Sequence, residues 1–101
     1  MEMLSESELP MKTIFRQVGA KIAYYRTLRE ISQEELATEL NVEEKVLVGM
    51  EQGKYRRKFS LAILMEIAEI LKIDPAFFLT FTDFEKKLWY EHLELIEEVN
   101  F

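Results

Sequence analysis

Apolar residues recur at helical spacing along most of this chain. Between residues 12 and 29 they lie at Ile14, Phe15, Val18, Ile22, Tyr25 and Leu28, and from Phe15 onwards each follows the last by three or four positions. The same spacing returns in residues 33–40, 43–52 and 61–71, and again from residue 84 to about residue 99. No segment alternates apolar and polar residues with the period of two that a half-buried strand requires. The pattern therefore predicts an all-α fold.

The connection between the second and third predicted helices is short and well specified. Ser32 can cap the second helix, and Glu35 follows three residues later, as in a capping box. Asn41 lies where the chain must leave that helix, at a position that often needs a left-handed backbone. The apolar faces of the two helices consist of Leu36, Ala37 and Leu40, then Leu47 and Met50. Two short helices joined by a tight turn form a helix-turn-helix, whose second helix can lie in a DNA major groove.

Capping residues predict the remaining boundaries. Residues 53–59 are expected to form a loop, after which Ser60 can cap a helix over residues 61–71. The dipeptide Asp74-Pro75 combines an N-cap with a proline at the first helical position, and it predicts a short helix over residues 76–79. Asp83 can cap a last helix that runs from residue 84 to about residue 99.

The sequence resembles the Cro and lambda-repressor type (XRE-like) of bacterial and phage DNA-binding domain, over roughly residues 18–79. The Ser-Gln-x-x-Leu-Ala core at residues 32–37 carries the resemblance. Further matching residues are Ile22, Arg26, Glu51, Gly53, Leu61, Leu64, Ile67, Ala68, Leu71 and Ile73. The resemblance implies a five-helix, lambda-repressor-like helix-turn-helix domain at residues 11–80. A sixth helix is expected within residues 81–101, and a flexible arm at residues 1–10.

The resemblance also assigns roles to individual residues. The third helix, residues 43–52, corresponds to the recognition helix of the family. Its groove-facing positions are occupied here by Glu43, Glu44, Lys45, Val48 and Gly49, with Val46 beside them. Gln33 is expected to contact a DNA phosphate and to brace the start of the recognition helix. Arg26 and Glu51 are expected to form a buried structural ion pair.

The recognition helix has an unusual composition for reading bases. Arg or Lys usually reads guanine and Asn or Gln reads adenine, and the groove-facing positions offer only Lys45 for these roles. The glutamates could accept a hydrogen bond from a cytosine amino group, or they could only stabilise the helix by their interaction with its dipole. Near DNA they would also repel the phosphates. The valines could contact thymine methyl groups or a protein partner. Two functions stay open: a sequence-specific regulator of transcription that binds double-stranded DNA, and a helix-turn-helix diverted to protein–protein interaction or to an antitoxin role.

Charge is distributed unevenly along the chain, whose formal net charge is −6. Residues 11–60 hold ten Lys or Arg against seven Glu, whereas residues 61–101 hold three basic against nine acidic residues. A basic run follows the recognition helix and consists of Lys54, Tyr55, Arg56, Arg57 and Lys58. Such a run suits phosphate contact with release of counterions, although a solvated loop is the simpler alternative.

The last predicted helix carries a wide apolar stripe. Its members include Phe84, Leu88, Trp89, Leu95, Ile96 and Val99. The helix could fold back onto its own domain. It could equally form the interface of a homodimer, because helix-turn-helix proteins commonly read two half-sites as two-fold dimers.

Several other functions are not expected. The chain has no cysteine and no glycine-rich phosphate loop, so we predict neither an enzyme nor a cofactor. His92 is the single histidine, and no metal site is predicted. No apolar run reaches the eighteen residues of a transmembrane helix, and the N-terminus does not have the pattern of a secretory signal. We therefore expect a cytoplasmic protein.

Overall fold

The computed structural model describes the backbone of residues 8–99 and the side chains of residues 11–91. This part of the chain contains five α-helices and no strand. They are α1 (Glu8–Leu28), α2 (Gln33–Leu40), α3 (Glu44–Glu51), α4 (Leu61–Leu71) and α5 (Asp83–Val99). Two 3₁₀ helices, Arg56–Lys58 and Pro75–Leu79, precede α4 and α5. The all-α prediction is confirmed, but the short helix expected at residues 76–79 is a 3₁₀ helix, so the last α-helix is the fifth.

Three α-helix starts differ from the prediction. Helix α3 begins at Glu44 instead of Glu43, which occupies its N-cap. Helix α1 begins at Glu8, so residues 8–10 belong to it rather than to the expected arm, and residues 1–7 lie outside the described part. Helix α5 is capped by Thr82 instead of Asp83. The Thr82 Oγ1 accepts from the Glu85 N–H at 3.1 Å, and the Thr82 N–H donates to Glu85 Oε1 at 2.9 Å. These reciprocal bonds form a complete capping box, which places Asp83 inside the first turn.

The turn between α2 and α3 has the geometry that its residues predict. Ser32 Oγ accepts from the Glu35 N–H at 3.0 Å and so caps α2. Asn41 adopts the left-handed conformation, with φ 58° and ψ 42°. The N–H groups of Asn41 and Val42 donate to the carbonyls of Thr38 and Ala37, which closes the end of α2. These bonds set the direction in which α3 leaves the turn.

The hydrophobic core joins α1, α2, α3, α4 and the second 3₁₀ helix. Its fully buried side chains are Ile22, Leu36, Leu47, Met50, Ile67, Leu71 and Phe78. Each such side chain contributes about 1.5–3 kcal/mol through removal from water. Leu47 and Met50 anchor the inner face of α3 in this core, and the opposite face of α3 is therefore directed outwards.

The first half of α5 packs against α1 of the same chain. Lys21 Nζ lies 2.6 Å from Glu85 Oε2, and the Gln17 amide donates to the Glu85 carbonyl oxygen at 3.1 Å. The indole N–H of Trp89 donates to Gln17 Oε1 at 2.9 Å, and its ring packs edge-to-face on Phe81. Within the described residues, α5 thus behaves as a helix folded back on its own domain.

Burial alone would raise the pKa of Glu85, but other interactions outweigh it. The ammonium of Lys21 and the backbone N–H and hydroxyl of Thr82 hydrogen bond to Glu85, and the positive charge of Lys21 adds to their effect, so the pKa is lowered. The carboxylate therefore stays ionised at the junction of α1 and α5. None of the described helices combines the length with the apolar character that a membrane-spanning segment needs.

Candidate nucleic-acid interface

The outward face of α3 is the centre of the candidate site. Glu43, Glu44 and Lys45 are exposed at its N-terminal end, and Val46 and Val48 are half-buried. Glu43 occupies the N-cap position but makes no capping hydrogen bond with its side chain. Of the expected groove-facing positions, the three N-terminal ones are open to a partner, the two valines are partly covered, with Val46 packed against the core, and Gly49 is buried.

Gly49 is covered, contrary to the expectation that it faces a groove directly. It is buried, and a Cβ built on it would lie 2.2 Å from Cε2 of Tyr55. The covering ring belongs to the loop after α3, where Tyr55 adopts the left-handed conformation with φ 57° and ψ 53°. A side chain at position 49 would therefore displace the ring of Tyr55 from this position.

A hydrogen-bonded ion pair holds the C-terminal end of α3. Glu51 accepts from Arg26 Nε at 2.7 Å and Nη2 at 3.1 Å, and its side chain is only 6% exposed. Arg26 Nη1 also donates to the Ile31 carbonyl oxygen at 2.8 Å. This arrangement ties the end of α3 to α1 and to the segment that leads into α2.

Gln33 joins the same network. Its amide Nε2 donates to Glu51 Oε1 at 2.8 Å, so the first residue of α2 is linked to the last residue of α3. The bond braces the C-terminal end of α3, whereas the expected bracing contact was at the start of that helix. Contact between Gln33 and a DNA phosphate stays a prediction.

Lys45, the cation expected to read bases, already has a partner. Its Nζ lies 3.2 Å from Glu43 Oε2, and both side chains are more than 70% exposed, at 75% and 72%. An exposed pair of this kind contributes about 0–1 kcal/mol, so it can be exchanged for another partner. Glu43 nevertheless offsets the charge of Lys45 at the start of α3.

The cationic loop, which we define as residues 54–58, lies at the opposite end of α3. All five of its side chains are exposed. The Lys54 N–H donates to the Gly49 carbonyl oxygen at 2.8 Å, which attaches the loop to the helix. The Arg56 guanidinium lies 5.8 Å from the ring centre of Phe15, which itself packs on Phe59. The loop is therefore fixed between α3 and the N-terminal half of α1.

Arg16 is a cation beside this loop that the sequence interpretation missed. Gly53, with φ 82°, approaches the α1 backbone so closely that a Cβ on it would lie 2.8 Å from Cα and Cγ of Arg16. The side chain of Arg16 is exposed. The sequence gives a weak indication of a cationic surface on α1, because Lys12 and Arg16 are four residues apart and share a helix face.

The residues of the expected dimer interface are placed unequally. Phe84 is 70% exposed, Leu88 is half-buried, and Trp89 is bonded to Gln17 in its own chain. The side chains of Leu95, Ile96 and Val99, like that of His92, lie outside the described residues. Among the residues described, no cluster of His, Asp and Glu could hold a metal ion.

Comparisons with known proteins agree with this architecture. The sequence model of the helix-turn-helix family matches residues 22–78, which contain α2, α3, α4 and part of α1. Over 57 residues the chain is 35% identical to an uncharacterized HTH-type transcriptional regulator of Methanocaldococcus jannaschii, and this match covers 56% of the chain and 86% of that protein. With the left-handed turn at Asn41 and the buried faces of α2 and α3, these matches establish that the chain belongs to the Cro and lambda-repressor type of the helix-turn-helix family.

Proposed function

We propose that this protein is a sequence-specific regulator of transcription that binds double-stranded DNA. The main support is the placement of the cationic loop at the C-terminal end of α3, where the Lys54 N–H bonds to the Gly49 carbonyl and the ring of Tyr55 covers Gly49. The loop concentrates four cations within five residues of a chain that is acidic as a whole. A local cationic surface beside a projecting helix suits a duplex, because screening limits repulsion from charges beyond about 8–10 Å.

In this proposal α3 enters the major groove and the loop contacts the sugar-phosphate backbone. Lys45 exchanges Glu43 for the acceptors of a guanine, and Val46 and Val48 contact thymine methyl groups. Glu43 and Glu44 lower the affinity for DNA in general, because they repel phosphates. They favour a site that presents a cytosine amino group to them. Gln33 adds a phosphate contact at the start of α2.

We further propose that the protein acts as a repressor and as a homodimer. One recognition helix reads only a few base pairs, and a two-fold dimer doubles the site by reading half-sites one helical turn apart, about 34–36 Å. Phe84 and the apolar positions toward the end of α5 are the proposed contacts between subunits. A cytoplasmic location accompanies this role in a prokaryotic cell.

Selection of random double-stranded sites by the full-length protein, with the solution mass measured in parallel, tests the proposal. We expect an enriched palindrome, a dimeric mass on DNA and affinity that falls steeply with added salt. No enrichment and no binding of any duplex at low salt would refute the DNA-binding function. A palindrome bound by a monomer would refute only the dimer.

The composition of α3 supports a second candidate, a module that binds another protein. Its exposed end presents Glu43 and Glu44, its lysine is paired with Glu43, and its valines are partly open. An antitoxin would fit the same surface. Binding through such an apolar contact should change little with added salt, whereas duplex binding weakens steeply, so one salt titration distinguishes the two functions.

A further inference from the structure

Gly49 and Tyr55 together form one part of the outward face of α3. Residues four apart lie on the same side of a helix, so Gly49 lies on the same side as the exposed Lys45. A glycine there costs helix stability and has no side chain to contact anything. Gly49 is nevertheless buried, because the Tyr55 ring occupies the space in which its side chain would lie.

The local backbone is arranged to bring the ring there. A Cβ at position 49 would collide with Cε2 and Cδ2 of Tyr55, so any larger residue there would have to displace the ring. Tyr55 itself adopts a left-handed conformation that is unfavourable for a bulky residue, and it persists only where the surroundings impose it. Hydrogen bonds on both sides impose it here: Lys54 N–H to Gly49 O, and Lys58 N–H to Tyr55 O, each 2.8 Å.

The ring is not simply filling space, since Tyr55 remains 51% exposed. The Cδ2–Cε2 edge of the ring lies over Gly49, and the exposed remainder of Tyr55 therefore adjoins the face of α3 that the proposed function places against DNA. Around it lie the cations of the loop, which are suited to phosphates. The aromatic ring is the apolar member of this loop, and apolar groups in the major groove contact the C5-methyl of thymine.

We propose that Tyr55 is a specificity-determining residue that replaces the missing side chain of Gly49 and contacts a thymine methyl group. The inference rests on the proposed DNA-binding function and adds to it a reader that lies outside the recognition helix. This contact needs the aromatic ring of Tyr55 and the position of that ring over Gly49. It does not need the hydroxyl group.

The test uses the duplex obtained by site selection, with each thymine replaced in turn by deoxyuridine, which lacks only the C5-methyl. For the wild-type protein we expect one position in each half-site to lose roughly fourfold in affinity beyond the other thymines, the effect of leaving one apolar carbon unburied. Tyr55→Ala should abolish that dependence and keep the others, and Tyr55→Phe should behave like the wild type. Gly49→Ala should resemble Tyr55→Ala, because the new methyl group displaces the ring.

Salt dependence separates a contact from a role in loop positioning. Tyr55→Ala keeps every cation, so the slope of log affinity against log salt should stay at the wild-type value. Thermal unfolding of each variant verifies that it is folded at the temperature of the assay.

Three results would overturn the inference while leaving DNA binding intact. The first is full deoxyuridine sensitivity at every position in Tyr55→Ala. The second is a loss in Tyr55→Phe equal to that in Tyr55→Ala, which would indicate a hydroxyl–phosphate contact. The third is an equal loss of affinity for all DNA sequences in Tyr55→Ala, together with a changed slope of log affinity against log salt. That result would indicate that Tyr55 only positions the loop. A wild-type protein that binds no duplex would instead refute the proposed function itself.

Discussion

Arg26 donates to both carboxylate oxygens of Glu51, with Nε 2.7 Å from Oε2 and Nη2 3.1 Å from Oε1. The two side chains are 15% and 6% exposed, so the pair is largely removed from water. Arg26 lies on α1 and Glu51 is the last residue of α3. The pair therefore holds the candidate recognition helix at its C-terminal end.

Glu51→Ala should destabilise the protein strongly, because it removes the acceptor of both Arg26 and Gln33. Breaking a buried pair on one side costs about 3–5 kcal/mol. We expect the melting temperature to fall by more than about 10 °C, since 1 kcal/mol corresponds to roughly 4–8 °C in a domain of this size. The double variant Arg26→Met/Glu51→Leu should be destabilised less than Glu51→Ala. Calorimetry measures both, with Glu66→Ala on the exposed side of α4 as the control.

Negligible losses in both Arg26→Met and Glu51→Ala would mean that the pair does not support the fold. A double variant destabilised as much as Glu51→Ala, or more, would contradict the desolvation argument.

Arg56→Gln/Arg57→Gln should weaken DNA binding at every sequence. Removing one phosphate contact reduces the slope of log affinity against log salt by about 0.9, so the double variant should flatten it by up to about 1.8. The control is Lys86→Gln/Lys87→Gln, which removes two exposed cations from α5 and changes the net charge by the same amount. It should leave the slope of log affinity against log salt nearly unchanged. Fluorescence anisotropy over a salt series measures this. A loss confined to one base position would contradict the assignment to phosphate contact.

Glu43→Gln/Glu44→Gln should raise the affinity for non-specific DNA several-fold at low salt. The change removes two charges that repel phosphates and frees Lys45 from its 3.2 Å contact with Glu43. Discrimination between the selected site and other sequences should decrease at the same time. Glu66→Gln/Glu69→Gln on α4 is the charge-matched control. If it raised the affinity equally, net charge rather than the position of the glutamates would explain the effect.

Glu85→Gln should destabilise the docking of α5 in a manner that depends on pH. The pKa of Glu85 is lowered from 4.5 on folding, so the ionised form stabilises the folded state above that value. This contribution is lost as pH falls through the lowered pKa. The melting temperature of Glu85→Gln should therefore lie below that of the wild type at pH 7, and the difference should shrink on acidification below about pH 4.5.

Thermal unfolding from pH 7 to pH 3 measures this difference. Asp83→Asn removes a charge from the same helical turn without breaking the bond to Lys21, and it serves as the control. A difference that stays constant over the pH range would mean that the ion pair of Lys21 and Glu85 does not stabilise the fold.

Local signals in the sequence predicted the helices and the turn well. Ser32 caps α2 and Asn41 is left-handed, as their side-chain chemistry leads one to expect. The same rules failed where two signals compete. Thr82 and Asp83 are both good caps, and the choice depends on Glu85, which bonds to Thr82 and to Lys21 on α1. The signal at Asp74-Pro75 marks a helix start but does not distinguish an α-helix from a 3₁₀ helix.

The candidate site was less predictable than the fold. The register of the family put Gly49 on the outward face of α3, but it did not indicate that Tyr55 covers it. That contact joins residues on either side of a bend, and it depends on a left-handed backbone at Tyr55, which no residue preference favours. Arg16 was missed for a similar reason, since Gly53 brings the loop against α1.

The amino-acid sequence alone determined the presence of the five α-helices, the caps at Ser32 and Ser60, the turn at Asn41 and the family, because each depends on spacing and on bonds between neighbouring residues. The tertiary structure decided which side chains surround α3. It placed the ring of Tyr55 over Gly49 and joined Gln33 to Glu51 by a hydrogen bond. It also decided the packing of α5 on α1. These contacts join residues of different elements, so they exist only when the core has brought the helices together.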